Sequence, residues 1–410
     1  MSAWIRLLAT SATRSARHVI LVLSCLVAVL SFARPASAFA WMVRHGYNQC
    51  TPCHADPSGA GTLTGYGRAI ADEAIRMRFP DDDGEGEDSP PSAAFMWGAV
   101  ELPKSLNLQG DVRYMRLEQK TETAPIVARN IWMQLDMSAA LQLGGFVASA
   151  SVGYAPEGAL PAALTSGAEK NLISRYHWLG YGLLDGALLL RAGRMNLPFG
   201  LRTIEHTSWV RSMTRTSINT DQQYGVSAVY AKDRLRAEVM AVLGNFQLKP
   251  DDFRERGYSA YAEVALMPKL TLGASSLLTY RVLDPRTLRQ TWRHAYGAFA
   301  RYATPWEPLV LLAEFDYVFE SPRYAPRRQG LVGFVQADVE FAQGMHLLGT
   351  GEFNDVGPEG TRTSYGGWLS YAWFLLPHTD LRIDTVYQRY ASPVGDLDAV
   401  TLLLQGHVFL

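Results

Sequence analysis

Five consecutive residues, Cys50-Thr51-Pro52-Cys53-His54, carry the most specific chemistry in this 410-residue chain. Cys-x-x-Cys-His is the attachment pattern of a c-type haem. Two thiols three positions apart reach the two vinyl-bearing edges of one porphyrin, and the next residue then lies beneath the iron. Cys50 and Cys53 would be the covalent anchors, and His54 would supply an imidazole nitrogen as the proximal axial ligand. Three other chemistries compete for the same residues: a Cys50–Cys53 disulfide, half of a zinc site, and a thioredoxin-like redox pair. Zinc needs a second ligand pair at suitable spacing, and a redox pair needs a βαβ context. The sequence offers neither. The distal side of the iron stays open, with Met42, His45 and Met77 close by and His206 or His294 further along the chain. Methionine there would raise the potential and a second histidine would lower it. Arg44 and His45 are adjacent, yet nothing in the sequence sets them over the iron as a peroxidase would require.

The attachment chemistry happens outside the bacterial cytoplasm, and the first 38 residues read as an export signal. Arg6, Arg14 and Arg17 form a positive start, Val19 to Phe32 an apolar run, and Ala36-Ser37-Ala38 a cleavage site. The run is too short for a transmembrane helix. Cys25 lies within it and is expected to leave with the signal, so Cys50 and Cys53 are the cysteines that remain. Residues 39–80 form the haem segment, with Ala71 to Met77 reading as a short helix and Pro57 to Gly61 as a loop crossing the haem edge. Some forty residues cannot bury a haem alone, so the group must lean on the rest of the protein. Residues 81–104 make an acidic, proline-containing linker that opens on Asp81-Asp82-Asp83-Gly84-Glu85-Gly86-Glu87-Asp88. It reads as a solvated spacer.

From residue 105 to 410 the apolar period is two. Leu331, Gly333, Val335, Ala337, Val339 and Phe341 alternate with Gln336, Asp338 and Glu340, and Val400, Leu402 and Leu404 alternate with Thr401 and Gln405. Such stretches are strands with one apolar face. Sixteen candidates follow one another, and their connections alternate between short and long. Short ones include Leu143-Gly144-Gly145, Lys232-Asp233 and Gln343-Gly344; the long ones include 118–127, 157–171, 196–221 and 244–255. Sorting turns and loops in this way is the habit of an outer-membrane barrel, and an even strand count returns both ends of the chain to the periplasmic side. With 10 Trp, 19 Tyr and 16 Phe the chain can also furnish aromatic girdles. Net charge is −1 with no basic face, which argues against nucleic acid as a partner. The segment 196–221 is polar and basic enough to fold into a lumen, where Arg191, Arg194, Arg202, Arg211 and Arg215 would line a constriction with Glu205 and His206. Lumen charge is ordinary in barrels, so a loop without chemistry is the plainer reading.

The expected fold is therefore all-β: a 16-stranded antiparallel outer-membrane β-barrel, plugged or capped by a short, mostly helical c-type haem segment. The run Trp41-Met42-Val43-Arg44-His45-Gly46 before Cys50-Thr51-Pro52-Cys53-His54, then Leu63-Thr64-Gly65-Tyr66-Gly67-Arg68, resembles the haem segment of the fused cytochrome–porin family. Those proteins lead with aromatic-x-x-Arg-x-x-Gly, follow the haem motif with Leu-x-x-aromatic-Gly-Arg, and continue into a barrel. The likeness is specific over about thirty residues and architectural over the barrel. Some members are outer-membrane iron oxidases. The resemblance implies a single haem c that passes electrons between an external donor or acceptor, Fe(II) among them, and a periplasmic carrier such as a cytochrome or cupredoxin. The alternative is a diffusion porin with a tethered periplasmic cytochrome or sensor module.

Overall fold

The computed structural model describes residues 42–44, 50–59, 61–77, 94–154, 172–203, 207–246, 253–392 and 395–410. The signal (1–38) and most of the acidic linker (81–93) lie outside the described residues, as do His45, Glu205 and His206. Seventeen strand segments form one sheet. They are β1 (Leu106–Thr121), β2 (Val127–Leu143), β3 (Phe146–Tyr154), β4 (Leu172–Ile173), β5 (His177–Leu183), β6 (Leu188–Met195), β7 (Gln223–Lys232), β8 (Leu235–Gly244) and β9 (Arg256–Met267). The series continues with β10 (Leu270–Arg281), β11 (Thr291–Ala303), β12 (Leu309–Pro322), β13 (Arg328–Ala342), β14 (Met345–Asn354), β15 (Ser364–Leu376), β16 (Thr379–Tyr390) and β17 (Leu397–Phe409).

Each segment pairs antiparallel with its neighbour, and β1 pairs with both β2 and β17, so the sheet closes. β4 and β5 both pair with β3 and are two pieces of one broken stave, which leaves a barrel of 16. Closure gives every strand two partners, the condition for crossing a bilayer with strands. The expectation of a sixteen-stranded antiparallel barrel is met. The β4–β5 stave is interrupted at Ser174 to Tyr176, where Arg175 turns in to pair with Asp136.

The alternation resolves into an apolar outside and a polar inside. On β8, Arg236, Glu238, Met240 and Val242 are buried while Leu235, Val239 and Leu243 are exposed. On β17, Val400, Leu402 and Leu404 face out and Thr401 and His407 face in. A register shift opposite Arg113/Tyr114 re-aims β2, so that Trp132 packs edge-on against Tyr114 on the outside while Asp136 and Ser138 point inward. Many of the inward charges are paired, as burial favours, among them Arg301 with Glu263 at 2.6 Å and Arg382 with Asp384 at 2.7 Å.

The connections sort by end. β2–β3, β7–β8, β13–β14 and β15–β16 close in tight turns at the end where Leu106 and Phe409 also lie, and the longer connections share the other end. The lumen is filled from both. The described parts of the N-terminal segment, 42–44, 50–59 and 61–77, enter from the short-turn end, where Arg44 meets Asp338 and Glu340 and the Gln343 side chain bonds the carbonyls of Glu73 and Arg76. Residues 196–203 and 207–222 fold inward from the long-loop end, including the short helix α2 (Trp209–Thr214), which packs on β12, β13 and β14. The main apolar core therefore sits inside the barrel. It joins Met42, Val43 and Ile70 of the N-terminal segment to Phe199, Leu201 and Trp209 of the loop and to Met240, Leu277 and Phe334 of the wall.

Candidate functional site: a cavity within the barrel

The backbone around the motif makes one tight turn. The amides of Cys53 and His54 both donate to the Cys50 carbonyl, at 3.2 and 2.9 Å. Positions i, i+3 and i+4 of such a turn share a face, so Cys50, Cys53 and His54 come to the same side. All three line one cavity of ≈ 350 Å³. Chain pairing then doubles back: Ala55 N–H donates to Thr62 O at 2.9 Å and Thr64 N–H to Cys53 O at 2.9 Å, which pinches 56–61 into a loop. Thr64 caps helix α1 (Gly65–Ile70), its hydroxyl accepting from Gly67 N–H at 3.0 Å. A π-helical turn, Ala71–Ile75, continues it. The helix thus begins six residues earlier than the Ala71–Met77 expected from the sequence.

Gly67 is where α1 rests on the motif, and a Cβ there would overlap the Cys53 carbonyl. Gly61 has a left-handed φ of +74° and lies against the Tyr176 ring. Both glycines fill spaces that a larger residue would force open.

The barrel wall grips this segment with charge. Arg191 on β6 reaches Asp56 at 2.8 Å and Glu238 at 2.6 Å, and its Nε donates to Ser227 at 3.0 Å. All of these side chains are essentially inaccessible to solvent, and the guanidinium also lies over the Trp178 ring. Asp56 receives a further bond from Ser58 N–H at 2.8 Å. Burial alone would raise the Asp56 carboxyl, but Arg191 and Ser58 outweigh it and hold it below the ordinary carboxylate value. Arg236 donates to the Pro57 carbonyl and comes within 3.4 Å of Cys50 Sγ. At the rim, Gln343 donates to the carbonyls of Glu73 (2.7 Å) and Arg76 (3.0 Å).

The lumen loop forms the opposite wall. Leu201 N–H and Arg211 both bond Glu314, Trp209 N–H donates to Glu352 at 3.0 Å, and Arg215 pairs with Asp284 and with Glu320 at 2.8 Å. Phe199, Leu201 and Ile218 from this loop line the cavity beside Ile70, Phe374 and Tyr261. The five arginines do not form one constriction. Arg191 holds the motif loop, Arg194 bonds Asn245 and the Phe246 carbonyl, and Arg211 and Arg215 brace the loop on wall acids. Arg202 is the one of the five that borders the cavity.

The residues present suit a covalent haem. Cys50 and Cys53 are free thiols rather than a disulfide. Burial, working against the nearby Asp56, pushes His54 down to about 4, so its imidazole is neutral at pH 7, the form that ligates a metal. The cavity surface is mainly apolar, although many charged side chains also border it, among them Asp111, Arg113, Arg236, Glu263, Arg301 and Arg382, and its volume is in the size range of small-molecule sites. Among the described residues no group of three His, Cys, Asp or Glu side chains is placed to hold a free metal ion.

Of the distal candidates, Met42 lines the cavity. Met77 lies at the rim, where its sulfur meets Trp373 Nε1. His294 sits on the outward side of β11 against Phe319, between the exposed Trp292 and Tyr296, so its placement rules out a lumen role. Arg44 is committed to Asp338 and Glu340, at 2.9 and 2.6 Å, which removes it from any peroxidase arrangement. Sequence reasoning missed His407, Arg236 and Tyr261 on the cavity and Asp56 behind it. Their signal is tertiary, since each looks like any other polar or aromatic residue in an alternating strand or loop.

No protein-family model matches the chain, and no curated protein matches it by sequence. Its fold is nonetheless shared with solved structures. OmpT, an outer membrane protein of Vibrio cholerae, in its loop L8 deletion form, superposes with a TM-score of 0.56 at 9% identity, over 74% of this chain and 99% of that one. The outer membrane channel DcaP of Acinetobacter baumannii gives 0.54 at 12% identity, over 74% and 97%. An anion-selective porin from Comamonas acidovorans gives 0.55 at 11% identity, over 75% and 99%. The chain has a porin-like outer-membrane barrel fold.

Proposed function

We propose that the chain resides in a bacterial outer membrane and carries electrons across it through one haem c held inside the barrel. Cys50 and Cys53 would bind it covalently and His54 would ligate its iron. The observation that carries this reading is the lumen cavity onto which all three residues open. When bound, the haem supplies one-electron chemistry at a potential set by its axial ligands and its surroundings. The protein's own residues do the rest. The Asp56–Arg191–Glu238 cluster fixes the motif loop against the wall, α1 covers Cys53, and the lumen loop keeps bulk water from the apolar side of the cavity. The segment enters at the short-turn end, the periplasmic end in barrels of this kind. A periplasmic cytochrome or cupredoxin would meet the protein there, and an external donor such as Fe(II) would approach from the long-loop side.

A second reading is favoured by the likeness to porins and by Arg202 and Arg236 on the cavity. It makes the barrel a diffusion channel, with anions as the preferred solute, and the cysteine segment a tethered redox or sensory module. Single-channel recording in planar bilayers separates the two. The conduit should pass little ion current with its segment and loop in place, and an open-porin conductance would favour the channel.

A further inference from the structure

We propose that Met42 is the second axial ligand to the iron of the haem held by Cys50, Cys53 and His54. The assignment rests on the haem reading above and goes beyond it by naming the residue that closes the distal side. Three observations support it. Met42 is 2% exposed and borders the same cavity as the motif. Its backbone is fixed: Val43 beside it is fully buried, and Arg44 clamps the turn to β13 through Asp338 and Glu340. Among the described residues, His407 is the one other imidazole or thioether that borders that cavity besides the motif's own His54.

The elimination is specific. His407 is the remaining imidazole on the cavity, but its Nε2 faces Asp111 at 3.3 Å and its Nδ1 faces Asp380 at 2.7 Å. Arg113 also approaches Nδ1, at 3.3 Å. Ligation through either nitrogen would separate a buried charge from its partner. His346 turns its Nδ1 to Asp338 at 3.0 Å and does not border the cavity. Met77 is held at the rim by Trp373, and His294 faces outward.

The surroundings of Met42 also select a thioether. It packs in the apolar cluster with Ile70, Phe199 and Leu201. An imidazole at that position would bring an N–H into apolar surroundings with no acceptor, whereas a thioether has no proton to place. Methionine opposite histidine raises the potential of a c-type haem, which suits a protein that takes electrons from a weakly reducing external donor.

The test uses the purified full chain in detergent. The ferric wild type should show the weak red charge-transfer band of methionine ligation. Its reduced form should show one methionine methyl resonance, labelled with carbon-13, shifted far upfield by the porphyrin ring current. Met42→Leu should lose both signals and bind added cyanide at least about tenfold faster. Met42→His should keep a six-coordinate spectrum at a lower midpoint potential. Met77→Leu should behave as wild type. Retention of the band and the shifted methyl in Met42→Leu would overturn the assignment. If that variant does not accumulate, a wild type with haem but no shifted methyl overturns it equally. A denaturing gel separates the levels: no covalent haem removes the functional reading together with the ligand, and haem without methionine signals removes only the ligand.

Discussion

At the scale of residues, the molecule divides into a motif that is local in sequence and a support that is not. Cys50, Cys53 and His54 lie within five residues, and their turn is closed by two bonds to one carbonyl. That is why their shared face could be read before any fold was known. Asp56 and Arg191 are 135 positions apart, and nothing in either local sequence joins them. Replacing Arg191 with Met strands Asp56 and Glu238 as buried, unpaired carboxylates, at a cost of roughly 3–5 kcal/mol. The N-terminal segment should then become cleavable by protease at markedly lower temperature than in the wild type. Adding Asp56→Asn should recover part of the loss, and strictly additive effects would show that the two residues do not couple. Gly67→Ala should also loosen the segment, because α1 must move off the Cys53 carbonyl to admit a methyl group. For the motif itself, Cys50→Ser with Cys53→Ser should abolish haem staining on denaturing gels while leaving the barrel folded, as judged by its heat-modifiable mobility.

At the scale of elements, the strands were legible because an alternating face is imposed along their whole length, while the loops were legible only in their lengths. Period two alone does not say which face is wet. On β8 and β17 the apolar side turned out to face outward, and what pointed that way was the sorting of short and long connections. Departures from the strand pattern arise where the barrel serves the lumen. The break between β4 and β5 lets Arg175 reach Asp136, and the β1–β2 register shift changes which residues of β2 look inward. The basic segment 196–221 was legible as lumen material, but the division of its arginines was not, because their partners are remote in sequence: Glu314 and Glu320 on β12, and Asp284 in the connection between β10 and β11. Excising residues 203–216 removes α2 and the Arg211 and Arg215 anchors. The excised barrel should show ion conductance at least about tenfold above the wild type in planar bilayers, with its strand content unchanged by circular dichroism. An unchanged conductance would mean that the N-terminal segment alone seals the lumen.

At the scale of the whole molecule, a segment too small to bury a large cofactor and a barrel too wide to fill itself solve each other's problem. Met42, Val43 and Ile70 share one core with Phe199, Leu201 and wall residues, so the lumen is packed where an open porin would hold water. Forty residues cannot enclose a haem alone, and in the proposed role the closed wall would supply the enclosure they lack. In the proposed role, the donor and the direction of electron flow would have no such signature, because they depend on potential and on partners rather than on packing. The most direct test is the optical spectrum of the purified, oxidised protein in detergent, followed during titration with Fe(II) and then dithionite. The account predicts a haem-c spectrum that Fe(II) reduces. A protein without haem absorption contradicts it outright, and a haem that dithionite reduces but Fe(II) leaves oxidised contradicts iron as the donor.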